Sequence, residues 1–178
     1  LKTSKIILHP CGYFDGKVLE ILSKDINLFF NCHSEQAICS LDMSTFYNPA
    51  RRQYDANSLI KSLSPLATDE TIKVMGILRV DLFVPILTYI FGQAELGGNT
   101  GVSSLYRLRN ELYGLEIDNN LLIERFRKVV LHETGHLFGL IHCHTPGCLM
   151  RSSTYVEDLD QKELRFCHSC SDQLSKME

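Results

Sequence analysis

Twelve consecutive residues restrict the fold of this 178-residue chain more than any other stretch: His132-Glu133-Thr134-Gly135-His136-Leu137-Phe138-Gly139-Leu140-Ile141-His142-Cys143. Residues four apart share a helical face, so a helix lets His132 and His136 direct two imidazoles at one point, with Glu133 on the adjoining edge. Gly139 marks where that helix stops, because glycine takes the left-handed conformation that ends helices without steric cost. The chain then turns, which lets His142 swing back to the same point. Leu137, Phe138, Leu140 and Ile141 are apolar, so the segment rests on a core that holds the imidazoles in place.

Three converging imidazoles suit a zinc ion, which keeps its fourth position for a water whose pKa falls to roughly 7. His132, His136 and His142 are the candidate ligands, and Glu133 the candidate base for the water's proton. HExxH alone also occurs in helices that hold no metal. A glycine and a third histidine at fixed further offsets make coincidence a poor account.

The chain has seven cysteines, and four lie together after the histidines as Cys143-x4-Cys148 and Cys167-x2-Cys170. Two short cysteine loops suit a closed tetrahedral site, giving a second, structural zinc and two ions per chain. Such sites contribute roughly 10 to 16 kcal/mol to folding in small zinc peptides. The competing readings are disulfides or a redox CxxC. The latter belongs just after a strand, whereas Cys167 follows the helix-like stretch 160–166. His144 and His168 adjoin cysteines and read as solvated neighbours. Cys11, Cys32 and Cys39 have no metal spacing and read as free thiols, which suits a reducing cytoplasm. Residues 1–10 carry too short an apolar run for a signal peptide.

With 44% hydrophobic residues the chain can bury one core, so a single domain over residues 1–178 is expected. The net charge of -3 argues against a nucleic-acid partner, and Arg51-Arg52 and Arg125-x-Arg127-Lys128 read as solvated faces. No apolar run reaches the roughly 18 residues of a membrane span. A monomer is expected.

A first strand is expected at 5–9, then an amphipathic helix from an Asp15 cap to about Phe30, on Val18, Leu22, Ile26 and Phe29. A second strand is expected at 36–42. Asp55 opens a short helix on Leu59, Ile60 and Leu63 that Pro65 closes. Residues 72–82 alternate as a strand whose centre, Met75 and Ile77, makes both faces apolar, as in a central strand covered on each side. Strands are expected at 89–96 and 102–108 around a turn at 97–101, whose glycines lack the Lys-Ser/Thr of a phosphate loop. The helix carrying His132 and His136 starts at Asp118 or Asn119.

The arrangement resembles the archaemetzincins, a branch of the metzincin zinc peptidases whose signature joins the long histidine motif to CxxxxCxM and a later CxxC. His132, Glu133, His136, Gly139 and His142 match its catalytic part. Cys143, Cys148, Cys167 and Cys170 match its second zinc site, and Met150 matches its Met-turn. Asn48-Pro49-Ala50-Arg51 with Gln53-Tyr54-Asp55 is similar more loosely, and the connection from Met150 to Cys167 is one residue shorter than usual in the family.

The resemblance implies an α+β, zincin-like (metzincin) fold: a twisted mixed five-stranded sheet, about three main helices and a small C-terminal zinc-stapled subdomain. Residues 1–141 would form the upper subdomain and 142–178 the lower one, with Met150 as a hydrophobic base under the histidines. It also implies a peptide or protein substrate added as a strand along the edge at 89–96, and aminopeptidase-like action.

The expected activity is hydrolysis of peptide bonds by zinc-activated water with Glu133 as general base. Tyr155 is a weak candidate for stabilising the oxyanion. The rival readings are a zinc-stabilised binding module whose metal site is inactive or autoinhibited, and a hydrolase of non-peptide amides.

Overall fold

A computed structural model describes residues 5–177; the first four residues of the opening stretch lie outside the described residues. The elements run β1 (Lys5–Pro10), α1 (Gly16–Phe30), β2 (His33–Gln36), β3 (Tyr47–Asn48), β4 (Gln53–Asp55), α2 (Ala56–Leu63), β5 (Ile72–Leu78) and β6 (Leu82–Phe83). They continue with β7 (Gly92–Ala94), β8 (Thr100–Ser104), α3 (Asn119–Leu137), α4 (Val156–Asp160) and α5 (His168–Met177). The helices α1, α2 and α3 start where their caps predict. Carboxylates of Asp15, Asp55 and Asp118 accept from the backbone N–H groups of Lys17, Asn57 and Leu121, satisfying donors a helix start leaves open.

Five strands form a mixed sheet in the order β2-β1-β5-β8-β7, parallel except for β7, which runs antiparallel to β8 along one edge. This is the α+β mixed sheet expected from the sequence. The centre of β5 is covered on both faces, as its apolar run requires. Met75 and Ile77 join Ile6, Leu8, Ile26, Phe30 and Phe126 beneath α1 and α3. Val74 and Leu78 join Leu59, Leu63 and Val102 beneath α2. Between them Gly76 lets α2 approach, since a Cβ there would lie 2.8 Å from Leu63 Cδ1.

Each fully buried Leu or Ile in these layers contributes roughly 1.5–3 kcal/mol, and polar clamps fix the register of the helices on top. Arg127 grips Asp25 with two hydrogen bonds of 2.6 and 2.8 Å, tying α3 to α1. Phe138, just past α3, stacks on Phe30 at the end of α1 with centroids 4.8 Å apart.

Several expected boundaries are corrected. The strand that pairs with β1 on this side is His33–Gln36, earlier than the expected 36–42. After a last backbone bond from Ala37 N–H to Leu8 O at 2.9 Å the chain leaves the sheet, and Cys39 forms a disulfide with Cys11, Cα atoms 5.1 Å apart. Cys11 and Cys39 are therefore not free thiols, which removes their support for a reducing compartment; Cys32 is outside any disulfide.

The strand expected over 72–82 ends at Leu78. Its continuation turns away so that β6 pairs with β4 in a second, three-stranded sheet ordered β3-β4-β6. The edge strand narrows from 89–96 to Gly92–Ala94, because Ile90 bridges to Leu82 of the second sheet. The strand expected at 102–108 begins at Thr100, inside the expected turn, and gives way to a 3-10 turn over Tyr106–Leu108.

Residues 161–166 are not helical. They pair with the segment before them, Leu149 N–H on Arg165 O and Glu163 N–H on Gly147 O, both 2.9 Å. Two basic stretches are corrected as well. Arg125 and Lys128 are buried, Arg125 holding Asp160, Leu108 O and Asn110, and Lys128 holding Leu159 O. Arg51 is half-buried over the Phe83 ring. No helix among the described residues is long and apolar enough to cross a membrane.

Candidate metal centres and cleft

The helix α3 turns Phe126, Val129, Val130 and Leu137 into the core, and its last two turns carry His132, Glu133 and His136. It ends as the glycine predicts. Gly139 has φ 84°, its N–H donates to His136 O at 2.9 Å, and Leu140 N–H reaches Gly135 O at 3.0 Å. His136 O also accepts from Gly97 N–H at 2.8 Å, so the turn between β7 and β8 docks on the end of the helix.

The chain then reverses and brings His142 back. The metal-binding atoms of His132, His136 and His142 lie within 4.8 Å of one another. Backbone carbonyls fix two of the rings. His132 Nδ1 donates to Leu149 O at 2.9 Å and His136 Nδ1 to Leu140 O at 2.7 Å, which puts the proton on Nδ1 and leaves Nε2 as a lone pair. Those two Nε2 atoms are 3.1 Å apart, against about 3.3 Å for two tetrahedral ligands on zinc at 2.0–2.1 Å. Burial holds all three imidazoles below the usual histidine range, assisted by the nearby Lys162 ammonium, so they stay neutral as ligands must. Burial also pushes the Glu133 carboxyl up to about 8, against the pull of Lys162.

Met150 is fully buried under this helix. A Cβ on Gly135 would meet its sulfur at 2.6 Å, so the helix carries glycine where the methionine presses on it.

The four cysteines converge too, their sulfurs within 4.8 Å of one another. Cys143 and Cys167 sulfurs are 3.7 Å apart and those of Cys148 and Cys170 are 3.8 Å apart, with none of the four in a disulfide. A tetrahedral zinc with ligands at 2.3 Å separates its sulfurs by about 3.8 Å, whereas a disulfide needs about 2 Å. Backbone N–H groups of Thr145 and Cys167 point at the Cys143 and Cys148 sulfurs, both at 3.3 Å. His144 and His168 stay outside the group, and exposed His168 faces Asp172 at 3.3 Å.

A cavity of about 820 Å³ opens over the histidines, and β7, residues 152–155, Leu159 and Lys162 are among its lining. Phe91 O accepts from Ser104 N–H at 2.8 Å and Glu95 N–H donates to Thr100 O at 3.0 Å. Antiparallel alternation therefore turns the N–H and C=O of Gly92 and Ala94 outward, away from β8. Glu133 lies directly behind this edge, 2.7 Å from where a Gly92 Cβ would stand. Tyr155 is exposed at the cavity rim.

Residues 26–176 match Peptidase family M54. The archaemetzincin of Methanocaldococcus jannaschii is 35% identical over 167 residues, covering 93% of this chain and 90% of its own. The chain belongs to the archaemetzincins. It is accordingly a zinc metallopeptidase by family, and its substrate is a peptide or protein.

The archaemetzincin of Pyrococcus furiosus is 39% identical over 171 residues, 93% of this chain and 89% of its own. Among solved structures, a zinc-dependent peptidase from Methanocorpusculum labreanum matches with a TM-score of 0.85 and 28% identity, over 95% of this chain and 99% of that one. The archaemetzincin of Archaeoglobus fulgidus, solved with malonate, matches at 0.80 and 32% with the same coverage.

Two features of the archaemetzincin cleft are absent from the sequence reading. Lys162 is 4% exposed and lines the cavity, although the sequence marks it only as part of the helix-like stretch 160–166. Arg51, read as part of a solvated face, and Gln53, read only for its resemblance, hold the cavity wall. Arg51 donates to Leu87 O at 2.6 Å and Gln53 to Thr88 O at 2.9 Å.

Proposed function

We propose that His132, His136 and His142 hold the catalytic zinc, that Glu133 is the general base, and that Cys143, Cys148, Cys167 and Cys170 hold a second, structural zinc. The observation that carries this reading is the pair of Nε2 lone pairs turned to one point by carbonyl-anchored rings, with Glu133 on the same cavity wall. Zinc bound there supplies a Lewis acid that polarises a water and the scissile carbonyl.

The chain's own groups do the rest. The outward N–H and C=O groups of Gly92 and Ala94 pair with an extended peptide and lay it across the histidines. The ionised form of Glu133, which burial alone disfavours and a zinc ion held beside it would favour, takes the water's proton and passes it to the leaving amine. A single peptidase domain with an upper part at 1–141 and a lower part at 142–178 places the cleft between β7 and residues 152–155, the two walls of the cavity.

The test is Glu133→Ala measured with metal analysis. Two zinc ions per chain are expected in wild type and in the variant, with turnover of a peptide library lost in the variant. Unchanged turnover would remove Glu133 from its role. Two ions with no cleavage by wild type would favour a binding module. Mass spectrometry of the products separates aminopeptidase from internal cleavage.

A further inference from the structure

We propose that Lys162 is a specificity-determining residue of the cleft and that its ammonium receives a substrate carboxylate, from an acidic side chain or a free C-terminus. The inference rests on the peptidase reading and adds the chemistry of the group the cleft selects.

Lys162 is 4% exposed and among the described residues its Nζ makes one hydrogen bond, a long one of 3.3 Å to Leu149 O. That carbonyl is already engaged by His132 Nδ1 at 2.9 Å. Among the described residues no carboxylate lies within 4.0 Å of the ammonium. Burying an unpaired ammonium costs several kcal/mol, which one shared carbonyl does not offset.

The contrast with Lys128 is direct. That lysine is equally buried but donates to Leu159 O at 3.0 Å and faces Glu124 at 3.5 Å, so its charge is answered within the fold. Around Lys162, Glu133, Cys148 and Asp158 lie near without forming an ion pair, and burial outweighs them, lowering the ammonium's pKa to about 8.

What Lys162 does face is the cavity. It shares the lining with Ser152, Thr154 and Leu159, with Val129 and Glu133 of α3 and with the outward edge of β7. A strand laid along Gly92–Ala94 directs every second side chain to one face. A residue entering between α3 and the 152–159 wall carries its end towards this ammonium. Leu159 and Val129 supply the apolar flank for a methylene stem, and Lys162 the polar terminus.

The experiment uses the zinc-loaded protein and peptides that differ only by glutamate or glutamine at one position, walked through the sequence, with free or amidated C-termini. At the position that reaches Lys162, glutamate should raise kcat/KM about 10-fold or more over glutamine. If the carboxylate is the terminal one, amidation should cause that loss instead. Lys162→Met should bring the ratio close to one, and Lys162→Arg should retain a carboxylate preference.

Wild-type ratios near one at every position, with no effect of amidation, overturn the proposal without need of a variant. So does a preference that survives in folded Lys162→Met. Equilibrium binding of the same peptides to zinc-loaded Glu133→Ala separates the two readings. Tighter binding of the carboxylate peptide with no cleavage by wild type sinks the peptidase reading and keeps Lys162's role. Cleavage without carboxylate preference does the reverse.

Discussion

Replacing Gly135 by alanine tests whether the methionine beneath the histidine helix is a packed base or an incidental neighbour. The new Cβ would stand 2.6 Å from Met150 Sδ, 3.2 Å from its Cε and 3.5 Å from Leu140 Cδ1. Ordinary contact begins near 3.5 Å, so the sulfur must retreat by about 1 Å. Met150 is fully buried and its neighbours in the core close that path.

Overpacking of this kind costs about 1–3 kcal/mol, while alanine in place of an interior helical glycine returns about 1 kcal/mol. The net expectation for Gly135→Ala is a loss of up to about 2 kcal/mol. In a Met150→Ala background the obstructing sulfur is gone and only the helical gain remains, so the same substitution should stabilise by up to about 1 kcal/mol. The coupling in the double-mutant cycle is then about 1–3 kcal/mol. Urea midpoints of the four proteins at saturating zinc, with slopes compared, measure it. The same sign in both backgrounds would refute the packing argument.

Two further outcomes follow from the lower part of the fold. Cys167→Ser with Cys170→Ser should remove one of two zinc ions, counted by metal analysis, and weaken retention of the other against a chelator; a single zinc in well-folded wild type would refute the two-site reading. Asp158 caps the wall helix α4, its carboxylate accepting from Tyr155 and Thr154 N–H groups at 2.9 and 2.8 Å, and these bonds lower its pKa. A carboxyl lowered on folding stabilises fully above its unfolded value, near 3.9, and loses that contribution as pH falls through the lower folded value. The stability gap between wild type and Asp158→Ala, about 1 kcal/mol at neutral pH, should therefore narrow in acid; a gap that widens there contradicts the assignment.

The sequence carried the site better than the outline of the fold, for a physical reason. Helical spacing ties His132 to His136, and Gly139 declares its own positive φ, so these constraints are local and legible without tertiary context. The sheet's larger strands and caps were legible for the same reason. The second sheet was not, because Tyr47–Asn48 and Leu82–Phe83 are two residues each and too short to show any period. The Cys11–Cys39 bridge depends on a 5.1 Å approach between residues 28 apart in sequence, which spacing alone does not encode. Lys162 carries no local sign of burial, and Arg125 reads as a solvent-facing charge in sequence. Pairing of 147–149 with 163–165 buries the first, and docking of α3 against Leu108, Asn110 and Asp160 buries the second.

Three consecutive residues join the histidine group to the cysteine group, the two proposed metal centres. Cys148 offers its sulfur to the cysteine group. The Leu149 carbonyl accepts from His132 at 2.9 Å and from Lys162 at 3.3 Å. Met150 packs its side chain on Gly135, and its carbonyl accepts from Cys143 N–H at 2.9 Å, one residue after His142. A metal that clamps Cys143 and Cys148 therefore fixes both ends of this short stretch, and with them the anchor of His132 and the approach of His142. Partners of this kind typically change metal affinity by 10–100-fold when lost. Losing the cysteine site should thus be felt at the histidines as a weaker grip on metal, even though none of the three imidazoles has been altered.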